Sequence, residues 1–124
     1  MNSKFFVPFE TAKQLKENGY NGTVDYYYMA NGQMCFDAME VSNDTLDLKN
    51  NGTIAAPTYH EVVDWLEGKG IYIYGYPPMR MIDVGNYTSG LYDSNKEYWT
   101  TCKSVYSTRE EALNAAILKA LEMI

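Results

Sequence analysis

The chain has 124 residues, 46% of them hydrophobic and 21% charged, with a net charge of −6. That length and balance fit one folded domain with a sizeable core and exclude a disordered chain. The lysines and arginines are scattered, so the cationic footprint that nucleic acid requires is missing, and the acidic balance mainly implies solubility.

The first predicted element is "PFETAKQLKENGY". Pro8 suits the first position of a short helix. Phe9, Ala12, Leu15 and the stem of Lys16 mark its buried side. Gly19 suits the left-handed position after the helix, which brings Tyr20 onto Leu15. "TVDYYYMANGQMCFDAM" follows. Asn31-Gly32 between two apolar runs predicts a hairpin with a type I′ turn, in which both central residues have positive φ. Val24, Tyr26 and Tyr28 share one face of its first strand; Asp25, Tyr27 and Met29 share the other. "SNDTLDLKNNGTIAA" is rich in Asn, Asp, Thr and Gly. It reads as a long loop with a small second hairpin at Asn51-Gly52.

"APTYHEVVDWLEGKG" predicts a helix with both ends marked. Thr58 and Glu61 form a T-x-x-E capping box. Gly70 suits the C-terminal position and places Ile71 over Leu66. Tyr59, Val62, Val63 and Leu66 make the apolar stripe, while His60, Asp64 and Glu67 share another face. "IYIYGYPPMRMIDV" then alternates, with Ile71 and Ile73 on one side and Tyr72, Tyr74 and Tyr76 on the other. Pro77-Pro78 ends that strand. "MRMIDV" reads as the next strand, "GNYTSGLYDSN" as a loop and "KEYWTTCKSVY" as a third strand.

"STREEALNAAILKALEMI" closes the chain with a helix. Ser107 and Glu110 suggest a second capping box. Leu113, Ile117, Ala120, Leu121 and Ile124 fall on one stripe beside Ala116. Arg109, Glu111, Lys119 and Glu122 face water. The order implies an α+β fold. A small antiparallel sheet of about three main strands is flanked by two capped helices, with the N-terminal helix and β-hairpin added. Residues 1–124 read as a single domain, with a helix-plus-hairpin subregion over 1–50 and a helix-three strands-helix core over 57–124.

The chemistry-bearing residues are few. His60 is the single histidine. With Asp64 it offers an i, i+4 pair for acid–base work, but a catalytic zinc needs three protein ligands and a structural one four. Cys35 and Cys102 lie far from it in sequence and read as free thiols. No GxGxxG, P-loop, HExxH, CxxC or GxSxG motif occurs. No catalytic residue, metal ligand or cofactor is therefore assigned, and the balance leans away from an enzyme. Four N-x-T triplets, at Asn21, Asn43, Asn51 and Asn86, read as turn chemistry. No apolar run approaches the roughly 20 residues that span a bilayer. "MNSKFFVPFE" makes a poor signal peptide, so a cytoplasmic location is expected.

The unusual feature is tyrosine, which occurs twelve times. A ladder of Tyr72, Tyr74 and Tyr76 is either an exposed aromatic platform or sheet packing with hydroxyls at the rim. The segments "VPFETAKQLKENGY", "APTYHEVVDWLEGKGIYI" and "YSTREEALNAAILKALEMI", together somewhat under half the chain, resemble a group of small uncharacterised proteins carried by phages, prophages and mobile elements of gut anaerobic bacteria. The resemblance implies an accessory protein and carries over no catalytic residue. The function expected is binding to a protein partner, with Tyr72, Tyr74 and Tyr76 as the candidate surface. The alternative is a small enzyme or a binder of small molecules or sugars that uses His60 with Asp64 or the tyrosine ladder. Neither nucleic acid nor membrane is expected as a partner, and no feature fixes an oligomeric state.

Overall fold

A computed structural model describes residues 5–49, 52–76, 87–101 and 106–124. The fold is α+β, with helices and two small antiparallel sheets. The chain divides into two compact units, Met1–Glu61 and Val62–Ile124.

In the first unit, α1 runs over Phe9–Glu17. Pro8 is the residue before the helix rather than its first turn, with φ −61° and ψ 156°. Its carbonyl still accepts from the Ala12 N–H at 2.9 Å, as an N-cap carbonyl does. The helix stops as expected. Gly19 has φ +88°, the Gly19 N–H donates to the Lys16 carbonyl at 3.1 Å, and the Tyr20 N–H donates to the Leu15 carbonyl at 2.9 Å. Those two bonds make a Schellman motif and bury Tyr20 beside Leu15.

Strands β1 (Val24–Tyr28) and β2 (Met34–Val41) form the expected hairpin. The turn differs from type I′, because only Gly32 has positive φ. The Gly32 N–H donates to the Met29 carbonyl, and the Met29 N–H to the Gln33 carbonyl, each at 2.8 Å. This is a three-residue loop ending in a left-handed glycine. Asn31 uses its side chain instead of a left-handed backbone, its Oδ1 accepting from the Gln33 N–H at 2.9 Å.

Residues Asn43–Lys49 form helix α2 where the composition suggests a loop. Ser42 and Thr45 cap it reciprocally. The Ser42 N–H donates to Thr45 Oγ1 at 2.8 Å and the Thr45 N–H donates to Ser42 Oγ at 3.4 Å. Asn43 is buried, not turn-forming. Its Nδ2 donates to the Tyr20 carbonyl at 3.0 Å and its Oδ1 accepts from the Ala55 N–H at 2.9 Å. One amide thus ties the end of α1 and the start of α2 to strand β3 (Ile54–Ala55). β3 pairs with β1, giving the order β2-β1-β3, and among the described residues it has no pairing with the segment before Gly52, which is helix α2. Asn51 and Asn86 lie outside the described residues.

Segment 5–8 lies along this sheet. The Val7 N–H donates to the Pro57 carbonyl at 3.1 Å, and the Tyr28 hydroxyl donates to the Val7 carbonyl. Rings of Phe6 and Tyr26 meet edge to face at 4.9 Å, and those of Phe9 and Tyr28 at 5.4 Å.

Helix α3 (Tyr59–Gly68) carries both legs of the expected capping box. The Thr58 N–H donates to the Glu61 carboxylate at 2.8 Å and the Glu61 N–H donates to Thr58 Oγ1 at 3.2 Å. Tyr59, Val62 and Leu66 are buried on its stripe. Trp65, off both stripes, carries the Lys69 ammonium 4.7 Å above its ring, an i, i+4 cation–π pair.

The second unit holds β4 (Ile71–Tyr76), β5 (Thr88–Asp93), β6 (Tyr98–Thr101) and α4 (Arg109–Leu121). The sheet order is β4-β5-β6, all antiparallel. β5 occupies a stretch that reads as a loop. Thr, Ser, Gly and Asp mimic turn composition there, yet Ser89, Gly90, Leu91 and Asp93 are buried in the central strand. The segment "MRMIDV", expected as a strand, lies outside the described residues, as does Cys102.

α4 packs on β4 and β5 through Ala112, Leu113, Ala116, Ile117, Ala120 and Leu121. Ile124, predicted on the same stripe, lies past the helix end and is exposed. The cap is shifted by one residue. Thr108, not Ser107, is the N-cap, its Oγ1 accepting from the Glu111 N–H at 3.1 Å. "STREE" contains two S/T-x-x-E frames, and the helix takes the second.

Two outcomes test these assignments. Thr108→Ala lowers unfolding free energy by about 1 kcal/mol in urea denaturation. Ser107→Ala changes it by less than about 0.5 kcal/mol. Equal losses contradict the shifted cap. Burial, and then the nearby Glu61 carboxylate, hold the Tyr20 hydroxyl well above the usual tyrosine range. A raised folded-state value keeps its stabilisation intact below the unfolded tyrosine value, about 10. The stabilisation is lost as pH climbs above that, because the unfolded state ionises first. Stability therefore falls steeply above about pH 10 in the wild type and less steeply in Tyr20→Phe; parallel curves measured by denaturation contradict this account.

Candidate functional site: an aromatic row across the second sheet

Residues directly opposite each other in an antiparallel sheet point to the same face. The register pairs Tyr72 with Tyr92 and Tyr92 with Trp99. Three aromatic residues from three strands thus form one row across the sheet. The opposite face carries Ile71, Ile73 and Leu91, all buried. Helix α4, whose apolar stripe packs on β4 and β5, covers that second face. The aromatic row lies on the side away from α4. Tyr72 is 45% exposed and Trp99 63% exposed, while Tyr92 between them is half-buried. The Tyr92 and Trp99 rings lie 4.5 Å apart, their planes inclined at 39°.

The turn between β5 and β6 holds this register. The Asn95 N–H donates to Asp93 Oδ1 at 2.9 Å. Ser94 donates to the Gly70 carbonyl through both its N–H and its hydroxyl, each at 2.8 Å. Asn95 Nδ2 donates to the Lys69 carbonyl at 2.9 Å. Gly70 is needed twice over. Its φ is +84°, and a Cβ there would come within 2.8 Å of Ser94 Oγ and 2.7 Å of Asn95 Nδ2.

Of the predicted ladder, Tyr72 is exposed and belongs to the row. Tyr74 and Tyr76 pair with Gly90 and Thr88 along the backbone; their side chains lie outside the described residues. Tyr92 and Trp99 complete the site and were not singled out by sequence. Alternation along β6 from Trp99 was readable, but its register against β5 was not.

His60 and Asp64 are both exposed on α3. Among the described residues no group of three or more His, Cys, Asp and Glu side chains is placed to hold a metal. Cys35 is a half-buried free thiol that pairs with Tyr27 across β1 and β2. An open groove of about 380 Å³ between β6 and α4 is lined by Thr100, Leu118, Lys119 and Glu122 among others, with both signs of charge. In the first unit a second aromatic patch joins Phe6 to Tyr26 at 4.9 Å and Tyr26 to Phe36 at 5.3 Å, with Phe36 62% exposed. Among the described residues, no helix is long and apolar enough to cross a membrane.

Comparison with protein-family models, with curated proteins and with solved structures finds no match.

Proposed function

We propose that the chain works as a small accessory protein that binds another protein through the row Tyr72, Tyr92 and Trp99. One observation carries this reading: three aromatic residues on adjacent strands form a contiguous surface on the side away from α4, with Trp99 63% exposed. A lone exposed aromatic residue is ordinary, whereas a contiguous apolar patch marks an interaction surface. Tyr and Trp are also the residues that dominate binding energy at interfaces. Phage or mobile-element origin and a cytoplasmic setting belong to the same proposal. The first rests on the resemblance of the helical segments, the second on Cys35, a free thiol. The enzyme alternative has less support, since His60 and Asp64 are both exposed on α3 and, among the described residues, no group of three or more His, Cys, Asp and Glu side chains could hold a metal.

The test compares tagged full-length chains used to capture proteins from a lysate of the native host. Trp99→Ser and Phe36→Ser each change unfolding free energy by less than about 1 kcal/mol, because both rings are largely exposed. A protein retained by the wild type is retained by Phe36→Ser and lost with Trp99→Ser. Retention of the same protein by Trp99→Ser contradicts the proposal. So does a loss of stability of about 3 kcal/mol or more in that variant, which would place the ring in the core.

A further inference from the structure

We propose that Asn21–Gly22 is a site of spontaneous covalent modification, at which the Asn21 amide is lost and the main chain is rerouted through the former side chain as isoaspartate. Asn-Gly pairs occur at Asn18, Asn21, Asn31 and Asn51. In each pair the glycine lacks the Cβ that would shield its backbone nitrogen. That nitrogen attacks the asparagine Cγ. The new C–N bond closes a succinimide ring, the bond from Cγ to the amide nitrogen breaks, and ammonia leaves with the proton that the glycine nitrogen gives up. Water then opens the ring, its hydroxyl adding to a carbonyl carbon and its proton going to the glycine nitrogen. Cleavage of the bond to Cγ gives aspartate. Cleavage of the bond to the main-chain carbonyl gives isoaspartate.

The imide nitrogen of the ring carries no hydrogen, so closure destroys any hydrogen bond that the glycine N–H makes. Two pairs are held back in this way. The Gly19 N–H donates to the Lys16 carbonyl at 3.1 Å, and Asn18 Nδ2 donates to the Gln14 carbonyl at 2.8 Å. The Gly32 N–H donates to the Met29 carbonyl at 2.8 Å, and Asn31 Oδ1 accepts from the Gln33 N–H at 2.9 Å. Both reacting groups are thus tied, in one pair by the α1 stop and in the other by the β1–β2 turn. Gly22 differs. Among the described residues its N–H makes no hydrogen bond, so closure there sacrifices none. Asn21 is exposed to the water that opens the ring. Asn51 lies outside the described residues.

Position gives the reaction its consequence. Isoaspartate adds one carbon to the main chain directly after Tyr20. Tyr20 is buried, its N–H donates to the Leu15 carbonyl, and its carbonyl accepts from Asn43 Nδ2. Its hydroxyl also lies against Gly22, where a Cβ would come within 2.6 Å of it. A chain lengthened at position 21 has to push Gly22 against the Tyr20 ring or give up one of the two backbone bonds. Either change costs stability, since a close-packed ring and a buried carbonyl both lose their partners. The end of α1 and its tie to α2 therefore loosen as the protein ages.

The experiment incubates the folded full-length chain at mildly alkaline pH. Its peptides are then mapped by mass spectrometry with electron-transfer fragmentation, which separates aspartate from isoaspartate. Asn21 converts to both products. Asn18 and Asn31 convert more slowly by about tenfold or more, because each must first break its hydrogen bonds. In denaturing urea the three rates come together. The isoaspartate form, separated by chromatography, unfolds at a lower urea concentration than the fresh chain. Asn21→Asp, which carries the same charge without the added carbon, unfolds close to the wild type. An Asn21 that stays unconverted in the folded chain overturns the proposal. So does conversion of Asn18 or Asn31 in the folded chain as fast as Asn21. An isoaspartate form as stable as Asn21→Asp overturns the loosening of the α1 stop.

Discussion

The seating of β5 between β4 and β6 is the constraint on which the second unit depends. Side chains alternate along a strand, so a slip of one residue exchanges the two faces of the sheet. In the observed register Leu91 meets Ile73 under α4, and Tyr92 meets Tyr72 and Trp99 on the other side. A one-residue slip sends Leu91 to water and Tyr92 beneath the helix. The lost leucine burial alone costs about 1.5–3 kcal/mol. The tie from Ser94 and Asn95 back to Lys69 and Gly70 reinforces the same register. Core packing and surface chemistry are thus two consequences of one pairing, and whatever keeps the core intact also keeps the aromatic row together.

The first unit is organised around a different device, the hydrogen bonds of a few buried polar side chains. Asn43 is the clearest. Removing its amide would leave the Ala55 N–H and the Tyr20 carbonyl without their partner in a buried setting, a cost of about 1–3 kcal/mol for each group. The Tyr28 hydroxyl on the Val7 carbonyl does similar work at the other end of the sheet. Such bonds specify one arrangement, because a shifted segment exchanges a satisfied group for a buried unsatisfied one.

What was legible in the sequence was local. The Gly19 stop, the Thr58–Glu61 box, the Gly70 stop and the α4 stripe each depend on residues within a few positions of one another, and all are present. The frame of the last box was ambiguous, because Ser107 and Thr108 each precede a glutamate by three. α2 was hidden because Ser, Asn, Asp and Thr favour loops and helix caps alike, and the cap here uses Thr45 where Glu or Gln is usual. β5 was hidden for a related reason: small residues suit a central strand lying under a close-packed helix as well as they suit a turn. Of the three residues of the candidate site, Tyr72 was legible. Tyr92 and Trp99 were not, because pairing register is a non-local property that no window of sequence contains.

Cross-strand nuclear Overhauser effects in the full-length chain test this account most directly. The register predicts contacts between the Tyr92 and Trp99 rings, and between backbone protons of Tyr72 and Tyr92 and of Leu91 and Thr100. Strong backbone contacts pairing Tyr92 with Tyr98 or Thr100 in place of Trp99, with Leu91 moved out of contact with α4, would contradict it.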